Sequence, residues 1–176
     1  MSSDGRLMDM LTGYAAAHQH PFNIFVHMIG IPTIMLGVLI PLTWFGAGSG
    51  VAEVNLAHIA MLGFFLFYMT LDRIFAAVFL IFALLLTKLA MTIGAMPIET
   101  SGTIAAIAFF GGYIAQFVGH AVEQSMPVLV KHPVQANLAA PFFTVVELFK
   151  LAGLRDDLFN AVQHRIEEQR SRAADA

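Results

Sequence analysis

Cysteine is absent from the 176-residue chain, which excludes disulfides, iron–sulfur clusters and thiolate zinc sites. Charge is nearly as scarce. Asp, Glu, Lys and Arg make up 12% of the residues, against roughly 25% in soluble domains. Neither GxGxxG nor GxxxxGK[ST] occurs, so no phosphate-binding loop is expected. HExxH is missing as well. The basic residues near the C-terminus are diluted by Asp156, Asp157, Glu167 and Glu168, and no basic patch is interleaved with aromatics, which argues against a nucleic-acid partner. What remains is apolar: 58% of the chain, with 16 Phe and 10 Met. This composition marks an integral membrane protein, and the length suits a single domain.

Four apolar runs are long or continuous enough to read as spans, at 22–45, 56–71, 74–96 and 103–122; about 20 residues cover a hydrocarbon core of roughly 30 Å. Pro32 and Pro41 interrupt the first run, which bilayer helices tolerate where neighbours satisfy the freed carbonyls. That run continues past any cleavage length without a small-residue cleavage pattern and is read as a retained span. Turns are expected at 46–50 and 97–102. The stretch 134–153 is apolar but carries Gln135, Asn137, Pro141, Glu147 and Lys150, which suits a re-entrant or interfacial helix. In the tail, 154–176, Leu158, Val162 and Ile166 fall at i, i+4 and i+8 and predict an amphipathic helix outside the bilayer. The expected fold is an all-α membrane bundle.

Arg6, Arg73, Lys131, Lys150, Arg155, Arg165, Arg170 and Arg172 all fall on one side of a four-span topology, whereas 46–55 and 97–102 carry no Lys or Arg. That side, which holds residues 1–20 and both termini, is expected to be cytoplasmic, with a bacterial inner membrane as the setting. Lys88, inside the third run, needs snorkelling or a partner. The same topology brings the start of the first span and the end of the fourth to one face. His18, His20 and His27 therefore meet His120 across about a hundred residues of chain, while His58 falls at the far side.

Asn23 and His27 lie four apart on the first span, and Gln116, His120 and Glu123 form a polar stripe at i, i+4 and i+7 on the fourth. Two polar stripes on apolar helices should face each other rather than lipid. Imidazoles suit Fe, Zn, Ni or Cu, and carboxylates add a harder ligand. Asn23, Gln116 and Glu123 equally fit a supporting role, fixing imidazole tautomers. From the residues alone three readings stay open: a metal or catalytic site, a hydrogen-bonded polar network holding helices together, and a path for protons or solutes. His132 follows Lys131 on the same face and is an outside candidate for the site. His164 belongs to the polar tail, and Glu147 sits one turn from Lys150 as a local ion pair.

Tyr14, His18, Asn23, His27, Gly30–Ile31–Pro32, then Gln116–Phe117–Val118–Gly119–His120 with Glu123 and Pro127, and finally Ala140–Pro141–Phe142–Phe143 with Glu147 resemble the 2-hydroxy fatty acid dioxygenase family, from about Gly13 to Gly153. The resemblance implies an iron(II)-dependent membrane enzyme that shortens long-chain 2-hydroxy fatty acids by one carbon using O₂, in fatty acid α-oxidation. It assigns the iron to His18, His27 and His120, with His20 as the expected fourth ligand and Glu123 in a catalytic or supporting role. Tyr14, Asn23, Gln116 and His132 would stand behind the ligands. Phe25, Met28, Phe110, Phe117 and Phe143 would line the acyl chain, with Lys131 or Lys150 steering the headgroup. The rival readings are a membrane structural or lipid-binding protein with a histidine network, and a zinc-dependent lipid hydrolase. The sequence leaves the acyl length and the oligomeric state open.

Overall fold

The computed structural model describes residues 3–48 and 53–174. Helix α1 (Ser3–Ala15) leads through an elbow into α2 (Pro21–Thr43). A small antiparallel hairpin (β1, Gly46–Ala47; β2, Val54–Asn55) then delivers the chain to α3 (Leu56–Met69). Helices α4 (Arg73–Gly94), α5 (Ile98–Glu123), α6 (Val128–Lys131), α7 (Pro133–Leu151) and α8 (Asp156–Ala174) follow. Apart from the hairpin, which stands where a turn was expected, the fold is all-α.

Three helices, α2, α4 and α5, are long and apolar enough to cross a membrane; a fourth is added if the bent pair α7–α8 counts as one span. Helix α3 has 14 residues, about 21 Å at 1.5 Å per residue, and falls short of a hydrocarbon core. Helix α5 starts at Ile98, ahead of the first residue of the expected run. Pro97 immediately precedes it and Glu99 lies in its first turn, where a negative charge favours the helix N-terminus. The outward faces are apolar: Leu85 on α4 and Ile107 on α5 are each 69% exposed, as expected for side chains that meet lipid. Lys88 is exposed on the same helix as Leu85.

The helix ends are set by local chemistry. Pro21 occupies the first position of α2, where its missing N–H is harmless, and the His20 ring accepts the Phe22 N–H at 3.2 Å. Asn55 and His58 form a reciprocal cap at the start of α3, so His58 serves the far end of the bundle. Asp72 caps α4 by accepting the Ile74 and Phe75 amides at 2.9 and 3.0 Å. Its other oxygen takes Arg155 at 2.6 Å, and the Arg155 guanidinium lies 4.6 Å from the Phe75 ring centroid. Arg6 donates to the Thr70 carbonyl at 3.3 Å. The N-terminal helix, the α3–α4 turn and the α7–α8 corner are thus joined at one end of the bundle.

Helix α1 buries Leu7, Leu11 and Tyr14, and α8 buries Val162 and Ile166 against it, with Arg165 on Asp9 at 2.5 Å. Helix α7 is more enclosed than a helix lying flat at an interface. Its residues 141–147 are all buried, among α1, α2 and α4. It meets α8 at a bend of 116°, where Gly153 and Arg155 adopt left-handed backbone angles.

The tightest packing joins α2 and α5, which run antiparallel in a fixed register. Asn23 lies against Gly119, Gly30 against Gly112 and Gly37 against Ala105 and Phe109. Each step is seven residues, so one stripe of small side chains on each helix faces the other and the backbones approach closely. A Cβ at Gly37 would meet the Phe109 amide nitrogen at 2.6 Å and the Ala105 carbonyl at 2.8 Å, both main-chain atoms that cannot swing away. Gly63 and Gly111 have nothing within 4 Å of that position. Gly37→Ala is therefore expected to cost about 1–3 kcal/mol or more through overpacking, whereas Gly63→Ala and Gly111→Ala leave stability within about 0.5 kcal/mol. Thermal unfolding of the three detergent-purified variants checks this; equal melting temperatures would refute the close-contact account.

Candidate metal centre

Three elements converge on one point. His18 sits in the elbow after α1, His27 two turns into α2, and His120 in the last turn of α5. All three are buried, at 3%, 2% and 4% exposure. Their ring centroids are 4.4 Å (His18–His27), 4.8 Å (His18–His120) and 4.9 Å (His27–His120) apart. One nitrogen from each ring lies within 4.8 Å of the others.

Hydrogen bonds to the opposite edges of the rings fix which nitrogen faces inward. His18 Nδ1 lies 2.7 Å from the Tyr14 carbonyl and His27 Nδ1 2.9 Å from the Asn23 carbonyl. A carbonyl only accepts, so both Nδ1 atoms carry the proton and both Nε2 atoms present a lone pair. His120 Nδ1 lies 2.9 Å from Ser125 Oγ, a hydroxyl able to donate or accept, and 3.5 Å from the Asn23 side-chain nitrogen, which only donates; Ser125 Oγ in turn lies 3.4 Å from the Ala17 carbonyl. His18 Nε2 is a buried atom with no hydrogen-bond partner. Burial, with repulsion from the His27 and His120 rings adding to it, pushes His18 down to about 3 against the pull of the Tyr14 carbonyl. The ring therefore stays neutral at physiological pH, the form that binds a metal. The buried, unpartnered His18 Nε2 lone pair is costly as it stands, and one divalent cation shared with a nitrogen of His27 and of His120 would satisfy it.

The ring planes are held by stacking. Tyr14 lies 4.2 Å from His18 at an interplanar angle of 4°, with Phe143 behind both. Burial pushes the Tyr14 hydroxyl up, so it stays protonated. Glu123 fixes the elbow itself. One carboxylate oxygen accepts the Gln19 and His20 amides at 2.6 and 3.2 Å, and the other accepts the Asn23 side-chain amide in a short contact. Asn23 can sit there because Gly119 leaves no Cβ in its way. Glu123 and Asn23 therefore position His18 and His27 from behind.

The structure separates His20 from the three-histidine group. Its ring is exposed and caps α2, because the elbow buries His18 and turns His20, two residues on, away from it. His132 is exposed ahead of α7, and His164 is exposed on α8 beside Glu168 at 3.3 Å. Gln116 lies on the wall of the cavity that opens from the histidines. Lys131 is exposed, and Lys150 pairs with Glu147 at 3.7 Å; neither lines that cavity.

The cavity has a volume of about 210 Å³ and runs from Tyr14, His18, His27 and His120 along α2 to Leu42, then to Ala60, Met61 and Phe64 of α3. Of the five side chains expected around an acyl chain, Phe117 lines it and Phe143 is buried beside the His18 ring. Phe25 and Phe110 point outward at 60% and 63% exposure, and Met28 is half-buried away from the wall. Sequence reasoning missed Ser125. It reaches His120 only because Gln124 takes a left-handed conformation (φ 57°) that folds the chain back, and no sequence motif announces that turn. It also missed the cavity wall of Ile31, Ile34, Met35 and Val38, whose i, i+3, i+4, i+7 spacing is lost among equally apolar neighbours.

Comparison with known proteins bears on this geometry. The 2-hydroxy-palmitic acid dioxygenase MPO1 of Saccharomyces cerevisiae is 30% identical over 173 residues, covering 92% of this chain and 90% of the yeast protein. No solved structure matches the chain. The family described as 2-hydroxy-palmitic acid dioxygenase Mpo1-like matches residues 6–151, a stretch that contains all three buried histidines, Glu123 and the whole cavity wall, and this chain belongs to that family.

Proposed function

We propose that the protein is an iron(II)-dependent dioxygenase that shortens long-chain 2-hydroxy fatty acids by one carbon using O₂, with His18, His27 and His120 holding the iron. The observation that carries this reading is the unpartnered His18 Nε2, buried with two further imidazole nitrogens at the head of an apolar cavity. Iron bound there supplies the redox chemistry with O₂ and the Lewis acidity that a 2-hydroxy carboxylate needs for chelation. The substrate, O₂ and products balance without a further reductant: a 2-hydroxy acid and O₂ give the acid one carbon shorter, CO₂ and water.

The chain's own groups do the rest. The Tyr14 and Asn23 carbonyls hold the ring protons of His18 and His27 at Nδ1, which keeps their Nε2 atoms free and aimed, and Ser125 orients the His120 ring through its Nδ1. Gln116, Tyr113 and Asn137 are the polar side chains on the cavity wall near the histidines, and they offer hydrogen bonds to the substrate headgroup. Tyr14 and Phe143 wall the site off from water on the α1–α7 side. Along α2 from Ile31 to Leu42 the wall is apolar, which suits an acyl chain.

The distribution of Lys and Arg supports placing this end of the bundle, with both termini, on the cytoplasmic side of a bacterial inner membrane. The contacts that tie Arg6 to Thr70 and Arg155 to Asp72 support the same side for all three segments.

Two outcomes test the reading. His18→Ala, His27→Ala and His120→Ala are each expected to lose iron and O₂ consumption while keeping helical content, whereas His20→Ala keeps its iron. Elemental analysis beside circular dichroism and an oxygen electrode measures this. Full activity of metal-free protein, or zinc in place of iron with activity intact, would overturn it. The second outcome concerns Glu123→Ala, which releases the Gln19 and His20 amides and the Asn23 side chain. It is expected to weaken iron binding or activity on the order of 10–100-fold without removing a ligand. Iron titration of the stripped protein reads this directly, and an unchanged affinity would remove Glu123 from the site's support.

A further inference from the structure

The cavity changes character along its length. At the histidine end its wall carries four of its polar groups within reach of one another, Tyr14, His18, His27 and His120, with Gln116 one turn away. From Ile31 onward the α2 wall is apolar down to Leu42. His27 and Leu42 are fifteen residues apart on one helix, about 22 Å at 1.5 Å per residue. One leaflet of a bilayer, the depth that a lipid chain occupies, is roughly 15 Å. The lined length therefore accommodates a long acyl chain, and its far end is lined by Val38 and Leu42 of α2 and by Ala60, Met61 and Phe64 of α3, with Met61 buried and Val38 exposed.

The far end owes its shape to helix α3. Its residues 60–64 are among its first turns, so they lie near the hairpin and distant from the histidines. Ala60 contributes the least volume of the three α3 side chains on the wall. A larger residue there intrudes on the end of the cavity and leaves the metal end untouched. Met61 is buried and flexible in shape, and its truncation deepens the same end.

We propose that this α3-lined end is a chain-length gauge: the acyl tail of the substrate threads along α2 away from the histidines, and Ala60 and Met61 set how many carbons fit. The inference rests on the dioxygenase reading for its substrate, but the gauge itself concerns any fatty acid that enters the cavity. Each methylene buried contributes about fourfold in affinity. Selectivity therefore rises with length until the tail reaches α3 and stops rising there. A cavity filled by a bilayer lipid instead would give a length profile indifferent to both positions.

The test uses the full chain in detergent, loaded with iron, and saturated 2-hydroxy acids from about eight to about twenty carbons. Plain fatty acids of the same lengths are followed in parallel by the rise they cause in melting temperature. Ala60→Phe is expected to lower the preference for the longest acids over the shortest by on the order of tenfold or more, the equivalent of about two methylenes expelled, and to shorten the best-binding plain acid. Met61→Ala is expected to move both limits the other way, towards longer chains, which a merely unstable variant does not do. If the wild type turns over 2-hydroxy acids and both variants keep its length profile, the gauge is wrong and the dioxygenase reading survives. If no 2-hydroxy acid is consumed yet the plain-acid profile shifts in opposite directions in the two variants, the gauge stands and the proposed reaction falls. Plain acids that leave the melting temperature unmoved at every length, with no turnover, would overturn both.

Discussion

Contact between α2 and α5 at backbone distance is the constraint on which the site depends. Lipid tails are as apolar as Leu side chains, so helices in a bilayer gain little from hydrophobic burial and associate through close packing and hydrogen bonds. The seven-residue repeat of small residues supplies that packing and pins its register: a Cβ at Gly112 would meet Ile34 at 2.6 Å, and one at Gly37 would meet the Phe109 amide nitrogen at 2.6 Å. The register delivers Asn23 against Gly119 and hence His27 beside His120. Function at the polar end is thus set by glycines well inside the bundle.

The second requirement is that three imidazoles remain neutral and oriented while buried. The His18 and His27 protons are anchored outward on the carbonyls of Tyr14 and Asn23, and Ser125 holds the outward nitrogen of His120. Two of these three anchors are main-chain atoms one helical turn before the histidine they hold, as the distance of four residues dictates. Helix α2 therefore fixes the tautomer of its own ligand His27, and the end of α1 fixes that of His18 in the elbow beyond it. Only His120 relies on a partner brought in by a turn, and that turn is the left-handed Gln124. Glu123 adds the remaining link by gathering two elbow amides and the Asn23 side chain on one carboxylate, so the N-terminal elbow is fastened to the end of α5 by charge-assisted bonds.

Much of this was legible in the residues. Apolar runs interrupted by Gly, Pro and Asp–Arg located the long helices, and the topology of those runs brought His18, His27 and His120 to one place. The Leu158–Val162–Ile166 spacing marked α8, which buries two of the three against α1. The failures have a common physical cause. Within a lipid-facing helix both faces are apolar, so the pattern that separates inside from outside in a soluble helix vanishes. Phe25 and Phe110, expected along the acyl chain, face outward, whereas Ile31, Met35 and Val38 form the cavity wall. His20 failed for a different reason: in an elbow neither helical nor strand periodicity applies, and the direction of a side chain depends on the turn rather than on spacing.

The C-terminal helices stabilise the metal end from outside. His18 stands on a non-helical elbow, the least constrained backbone of the three ligands. Such a segment stays fixed only when packed from outside. Helix α1 stacks Tyr14 on the His18 ring, α7 places Phe143 behind it, and α8 lies across α1 with Arg165 on Asp9 and Gln163 reaching Gln19 at 3.4 Å. Arg155 locks the corner between α7 and α8 onto the cap of α4. The polar tail, which carries no group of the site, is thereby the brace that keeps the one loop-borne ligand in register with the two that the α2–α5 seam has already fixed.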